Sequence, residues 1–192
     1  MRFGSMAKVS QAAGREIFAA VGADFFEGQI VQFDFKKSVL RFLVKSPADA
    51  LNDKKEAPGA GASVVLRMAE KISNPFKKTF MLPIVGDVTV NGKEVKMLLD
   101  TGRATSLAFS SSSAQKAGFT LPSENDPPRA DKAGSLDLGG YRMTDVPVML
   151  FAKGSDADKS LSKYGVVAGS IFLQDFLVTF DFKNKVVLLE KV

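Results

Sequence analysis

The chain has no histidine, no cysteine and no tryptophan among its 192 residues. Each absence removes a class of chemistry. Without cysteine there is no thiol nucleophile, disulfide, thiolate zinc site or iron–sulfur cluster. Without histidine there is no Ser-His-Asp triad, no imidazole metal ligand and no imidazole acid or base. An enzyme built from this chain works with carboxylates, hydroxyls, Lys, Arg or Tyr. No apolar run approaches the ~20 residues of a membrane-crossing helix, so no membrane span is expected. The opening segment Met1–Lys8 lacks the apolar stretch of a signal peptide. The lack of cysteine does not choose a compartment, so localisation stays open.

What is present is a globular composition. Hydrophobic residues make up 45%, charged residues 24%, and phenylalanine alone counts 16, enough for a real core. Net charge is +5. The basic residues come in scattered pairs, Lys36-Lys37, Lys54-Lys55 and Lys77-Lys78. Nucleic-acid binding asks for clustered Lys/Arg with aromatics or a motif, so no nucleic-acid partner is expected.

Three zones divide the chain. Residues 1–44 are apolar and end in strand-like segments. Residues 45–75 carry Pro47, Pro58, Gly59, Gly61, Pro75 and the charged stretch from Asn52 to Glu56, a composition suited to a linker. Val64–Ile72 could form a short strand or helix within it. Residues 76–192 read as a compact, mostly β unit. Phe80–Val90 and Lys93–Leu99 form a hairpin about Asn91-Gly92, the turn dipeptide of a type I′ connection. Thr105–Phe109 reads as a strand, and Ser110–Phe119 as a short helix capped by its serines. Leu136–Leu138 and Tyr141–Leu150 form a second hairpin about Gly139-Gly140. Val166–Gly169, Phe176–Phe182 and Val186–Leu189 complete the unit, with a tight turn at Lys183-Asn184-Lys185.

An internal repeat links the first zone to the last. The segment from Val21 to Lys36 aligns without gaps on the segment from Ala168 to Lys183. Gly22 matches Gly169, Phe25 matches Phe172, and Phe33-Asp34-Phe35-Lys36 matches Phe180-Asp181-Phe182-Lys183. Later, Val39 matches Val186. Ungapped identities favour a duplicated lobe over two unrelated hairpins.

The segment with chemical content is Leu98-Leu99-Asp100-Thr101-Gly102. An apolar strand delivers one carboxylate to a rigid strand end, where a carboxylate can be tuned. Gly102 permits a tight turn with close backbone approach, and Thr101 can brace that turn. The order of Asn91-Gly92, Asp100-Thr101-Gly102, Leu138-Gly139-Gly140, Val166–Gly169 and Val178–Phe182 resembles the aspartic peptidases of the pepsin and retropepsin type. The resemblance spans roughly residues 78–192.

That resemblance implies a mainly β, pepsin/retropepsin-like acid-protease barrel with one or two short helices. It divides the chain into a partial lobe at 1–44, a linker at 45–75 and a complete lobe at 76–192. It gives Asp100 the catalytic role, Thr101 a bracing role at the lobe or dimer interface, and Gly102 the turn. Val166–Gly169 becomes the strand behind the catalytic loop. The implied activity is endopeptidase hydrolysis of a polypeptide substrate, with no metal and no cofactor. Two carboxylates about 3 Å apart cannot both ionise cheaply and share a proton. The ionised member takes a proton from water while the protonated member polarises the scissile carbonyl. One departure from the family pattern is Arg103, where the family has Ala or Ser. Its guanidinium either favours ionised carboxylates, points to solvent or pairs with an acid.

Only one Asp-Thr-Gly is present. Gly169 follows Asp100 by 69 residues, so the corresponding partner of Gly22 would fall ahead of Met1. The second carboxylate is therefore expected from a second subunit, in a homodimer, or from a missing first lobe. The alternative is a catalytically silent domain used in binding or assembly.

Other candidates have plainer readings. Asp34 and Asp181 sit in Phe-Asp-Phe alternation and are expected to face outward. Asp156 and Asp158 lie in what reads as a solvated loop, too poor in oxygen ligands for calcium. Ser110–Ser113 suit helix capping better than nucleophilic chemistry. Tyr141 is expected to pack in the core. Phe25, Phe26, Phe33 and Phe35 read as core, with some exposed if the first lobe is absent.

Overall fold

The computed structural model describes residues 10–11, 14, 16–18, 21–52, 63–73 and 79–192. The N-terminal Met1–Lys8, Pro58, Gly59, Gly61, Pro75 and the charged residues from Asp53 to Glu56 lie outside the described residues.

The strands are β1 (Ile30–Asp34), β2 (Val39–Leu43), β3 (Ser63–Ser73), β4 (Thr79–Val90), β5 (Lys93–Leu99) and β6 (Leu107–Phe109). They continue with β7 (Arg129–Ala133), β8 (Leu136–Leu138), β9 (Tyr141–Met143), β10 (Val146–Leu150), β11 (Val166–Ala168), β12 (Phe176–Asp181) and β13 (Val186–Lys191). Among the described residues there are four short α-helices, α1 (Pro47–Asn52), α2 (Ser111–Lys116), α3 (Asp156–Leu161) and α4 (Ser170–Leu173), and one 3-10 turn, Ala23–Phe26. The protein is mostly β, as the resemblance implies, but has more helices than the expected one or two. Helices of four to six residues are too short to leave a 3.6-residue pattern in the sequence.

The strands form one path, β2-β1-β12-β13-β3-β4-β5-β11-β6-β10-β7, with β8 branching from β4 and carrying β9. Most neighbours are antiparallel. The exceptions are β5 with β11 and β6 with β10. Val64–Ile72 lies in β3, between β13 and β4.

Turn chemistry fixes the registers. Asn91 (φ 49°) and Gly92 (φ 73°) both adopt the left-handed region that a type I′ turn requires. Asn91 also ties the turn down: its Nδ2 donates to the Ala117 carbonyl at 3.0 Å, and its Oδ1 accepts from the Ser135 N–H at 3.1 Å. The segment Tyr141–Leu150, expected as one strand, breaks at Asp145 (φ 54°) into β9 and β10. At α2, Ser110 Oγ accepts from the Ser113 N–H at 3.3 Å, so the serine run caps the helix.

The repeat is visible in three dimensions. β1 pairs with β12 antiparallel, with Gln32 opposite Thr179. The β1–β2 hairpin closes Asp34 against Val39, and the β12–β13 hairpin closes Asp181 against Val186. These are matched positions of the two copies. The 3-10 turn Ala23–Phe26 matches α4 in the same way.

Asp34 and Asp181 correct the sequence reading. They do not face outward; Asp181 is fully buried and Asp34 partly so. Each is the last residue of its strand and folds back over the following turn. Asp181 accepts from the Asn184 N–H at 2.7 Å and from its Nδ2 at 2.8 Å, and Asp34 accepts from the Lys37 N–H at 3.1 Å. Strand alternation does not apply to a side chain that caps a turn.

Candidate active site

β5 carries the site. Its C-terminal residues Met97, Leu98 and Leu99 are buried because β4 flanks the strand on one side and β11 on the other. A strand held on both edges delivers its next residue, Asp100, to a fixed place. The Asp100 N–H donates to the Ala168 carbonyl at 2.9 Å, one step beyond the ladder.

The loop after Asp100 is closed by short bonds. The Gly102 N–H donates to Asp100 Oδ1 at 3.0 Å. A Cβ at Gly102 would lie 3.3 Å from the same oxygen, so glycine leaves room for the carboxylate. The Arg103 N–H donates to the Asp100 carbonyl at 3.3 Å, and the Thr105 N–H to the Arg103 carbonyl at 2.9 Å.

Behind the loop lies the segment from Gly169 to Ile171. The N–H groups of Gly169, Ser170 and Ile171 donate to the carbonyls of Ser106, Arg103 and Thr105 at 2.8, 2.7 and 3.1 Å. Ser170 Oγ adds a bond to the Arg103 carbonyl at 3.2 Å. A Cβ on Gly169 would stand 2.4 Å from the carbonyl oxygens of both Arg103 and Thr105. This is the close approach that requires glycine.

Asp100, Thr101 and Gly102 open onto a cavity of about 290 Å³. Its other wall comes from the first repeat copy, with Gly22, Ala23 and Phe26. Phe33 and Phe180, matched residues of the repeat, also line it and meet edge-to-face at 5.6 Å. Asp100 is half-buried and is the one carboxylate among the described lining residues. Arg103 does not line the cavity, and among the described residues it makes no ion pair. The Thr101 hydroxyl has no hydrogen-bond partner among them either.

Residues 86–163 match the family model described as aspartyl protease. Over that segment the chain is similar to the aspartyl protease family. The segment contains the end of β4, β5, Asp100-Thr101-Gly102 and Leu138-Gly139-Gly140, and stops short of β11 and Gly169. No curated protein matches the chain.

The sequence reading missed one polar centre of this lobe. Asp158 is buried, at 7% exposure, rather than solvated in a loop. It accepts from the Ser111 N–H at 2.7 Å, Ser111 Oγ at 3.0 Å and the Gly154 N–H at 2.8 Å. Burial alone would push its pKa up. The bonds from Ser111 and Gly154, with the nearby Lys153, outweigh that and hold it below the ordinary value. The local signal was Ser155-x-x-Asp158, a capping pattern; Ser155 Oγ accepts from the Asp158 N–H at 3.2 Å. Tyr141 packs edge-on against Phe176 at 6.2 Å, in keeping with a core role. Among the described residues no group of His, Cys, Asp or Glu could hold a metal ion, and no helix is long and apolar enough to cross a membrane.

Proposed function

We propose that this protein is an aspartic endopeptidase in which Asp100 is one of two carboxylates that activate water. The observation that carries the reading is the placement of Asp100: a strand-end carboxylate, fixed on both flanks, at the mouth of a largely apolar cavity within a segment that matches the aspartyl protease family.

The second carboxylate comes from a second subunit or from another lobe facing the cavity. The pair shares one proton. The ionised carboxylate takes a proton from water as the oxygen attacks the scissile carbonyl. The protonated carboxyl hydrogen-bonds to the carbonyl oxygen and stabilises its developing charge. Collapse of the tetrahedral intermediate expels the amine, which takes back a proton. Thr101 braces the opposing loop through its hydroxyl, and Gly102 keeps the loop tight with its N–H on Asp100. The substrate is a polypeptide in extended form. Activity peaks below neutral pH, because the pair must retain a proton.

The test is cleavage of an unfolded protein substrate at acid pH by the wild-type chain and by Asp100→Asn. Loss of cleavage in the variant supports the reading, and undiminished cleavage overturns it. A second reading, a catalytically silent lobe used in assembly, is favoured by Arg103 beside the motif and by the single carboxylate in the cavity. It predicts no acid-dependent cleavage from wild type at all.

A further inference from the structure

The lobe has a second cleft, of about 440 Å³, where β5, α2 and the loop between α3 and β11 meet. Gly165 sets the meeting point. It has φ 79°, and its carbonyl accepts from the Ser110 N–H at 2.8 Å, just ahead of α2. A Cβ there would stand 3.0 Å from Ser113 Oγ and 3.1 Å from the Lys96 carbonyl. Three chain segments are therefore pressed together at a glycine.

The lining is basic and rich in hydroxyls. Each segment gives one lysine: Lys96 from β5, Lys116 from α2 and Lys163 from the loop. Glu94 is the one carboxylate among the described lining residues, so the wall carries a formal positive charge. Lys116 Nζ donates to the Glu94 carbonyl at 2.7 Å. That bond anchors the ammonium in the cleft, uses one of its three protons and leaves two for another acceptor. Among the described residues neither Lys116 nor Lys163 forms an ion pair with a carboxylate. Ser112, Ser113 and Tyr164 bring hydroxyl donors to the same lining.

We propose that this cleft binds a phosphate monoester, carried on a polypeptide side chain or as a free small phosphate. The donor set chooses the anion. No arginine lines the cleft, so the flat, two-pronged grip that suits a carboxylate is missing. Ammonium groups act as point charges and hydroxyls turn to suit their partner, which matches a tetrahedral oxyanion with a charge of about −2. The site stands apart from the peptidase reading. Lys96 precedes Asp100 by four residues, about 13 Å along a strand, and no described residue lines both cavities.

The test is a titration of the full chain with inorganic phosphate at low ionic strength, followed by backbone amide NMR shifts. Saturable shifts at millimolar phosphate, centred on Ser112, Ser113 and the segment from Lys163 to Gly165, are expected. No shifts there overturn the proposal. Equal shifts at Lys36, Lys37, Lys183 and Lys185 also overturn it, because they show a general response of basic surface. The double variant Lys116→Gln, Lys163→Gln should weaken binding at least ~10-fold, since it removes two charge-assisted donors. Undiminished binding overturns the site. Lys116 also holds the Glu94 carbonyl, so Lys163→Glu is the second variant. It reverses the charge of an exposed side chain that makes no described hydrogen bond, so the melting temperature should hold while phosphate binding is lost. Phosphate binding that survives Lys163→Glu overturns the proposal. A short alanine peptide with a central phosphoserine separates the two sources. Tighter binding than inorganic phosphate supports a phosphorylated polypeptide, and equal binding supports a free small phosphate. Asp100→Asn should titrate as wild type whatever it does to cleavage, so the cleft and the peptidase reading stand or fall separately.

Discussion

Gln32 and Thr179 stand directly opposite each other on β1 and β12, and Gln32 Nε2 donates to Thr179 Oγ1 at 3.1 Å. They are also the same position of the two repeat copies, 147 residues apart. An antiparallel pair that coincides with the repeat offset marks a local two-fold axis. The aromatic packing obeys it: Phe33–Phe35 and Phe180–Phe182 are both stacked at 6.0 Å, and Phe33 meets Phe180 across the axis. The cavity at Asp100 is built from both sides of this relation.

The crossing behind the Asp100 loop makes Gly169 intolerant. Gly169→Ala forces a methyl into two carbonyl oxygens 2.4 Å away, and both are backbone. Overpacking of this kind costs about 1–3 kcal/mol. A urea melt should show that loss. At Gly22, the matched residue, a Cβ would meet only the Asp24 side chain, so Gly22→Ala should shift stability by less than about 0.5 kcal/mol. Equal effects at the two glycines would contradict this difference in surroundings.

Asp158 pins α2 to α3 through two hydrogen bonds from Ser111, and a third, from the Gly154 N–H, closes the loop ahead of α3. Asp158→Ala leaves the Ser111 and Gly154 N–H groups without their acceptor and should cost about 2–4 kcal/mol in denaturant unfolding at neutral pH. The folded pKa lies below the ordinary 3.8. Its stabilisation is therefore complete above about pH 4 and is lost as pH falls through the lower folded value. The stability gap between wild type and Asp158→Ala should narrow only below pH 4. A gap already closed at pH 5 would show that the charged form is not what is held.

Asn91 supplies a left-handed turn residue and two side-chain bonds. Asn91→Gly keeps the turn and removes the bonds to Ala117 and Ser135, with an expected cost of about 1–2 kcal/mol. Asn91→Ala adds turn strain of about 1 kcal/mol. The order wild type, Gly, Ala in urea midpoints checks the assignment.

Much of the frame was legible because its signals are local. Asn91-Gly92 dictates its turn by φ alone, and Ser110 caps α2 three residues on. The repeat was legible because its identities are ungapped. What stayed hidden depends on partners far away in sequence. Asp158 looked solvated because Ser111, which buries it, lies 47 residues earlier. Asp34 and Asp181 looked outward because alternation predicts faces within a strand and not at its last residue. For the candidate site, the strand end at Asp100 was legible, but that Gly22 and Phe26 line the same cavity depends on the fold.

The central claim is that Asp100 activates water for peptide hydrolysis. The most direct measurement is the rate of cleavage of an unfolded protein between pH 3 and pH 8 by wild type and Asp100→Asn at equal concentration. The account predicts wild-type cleavage that peaks below neutral pH and falls by at least ~100-fold in the variant. Cleavage by Asp100→Asn at the wild-type rate, or a wild-type rate that keeps rising toward pH 8, would contradict it.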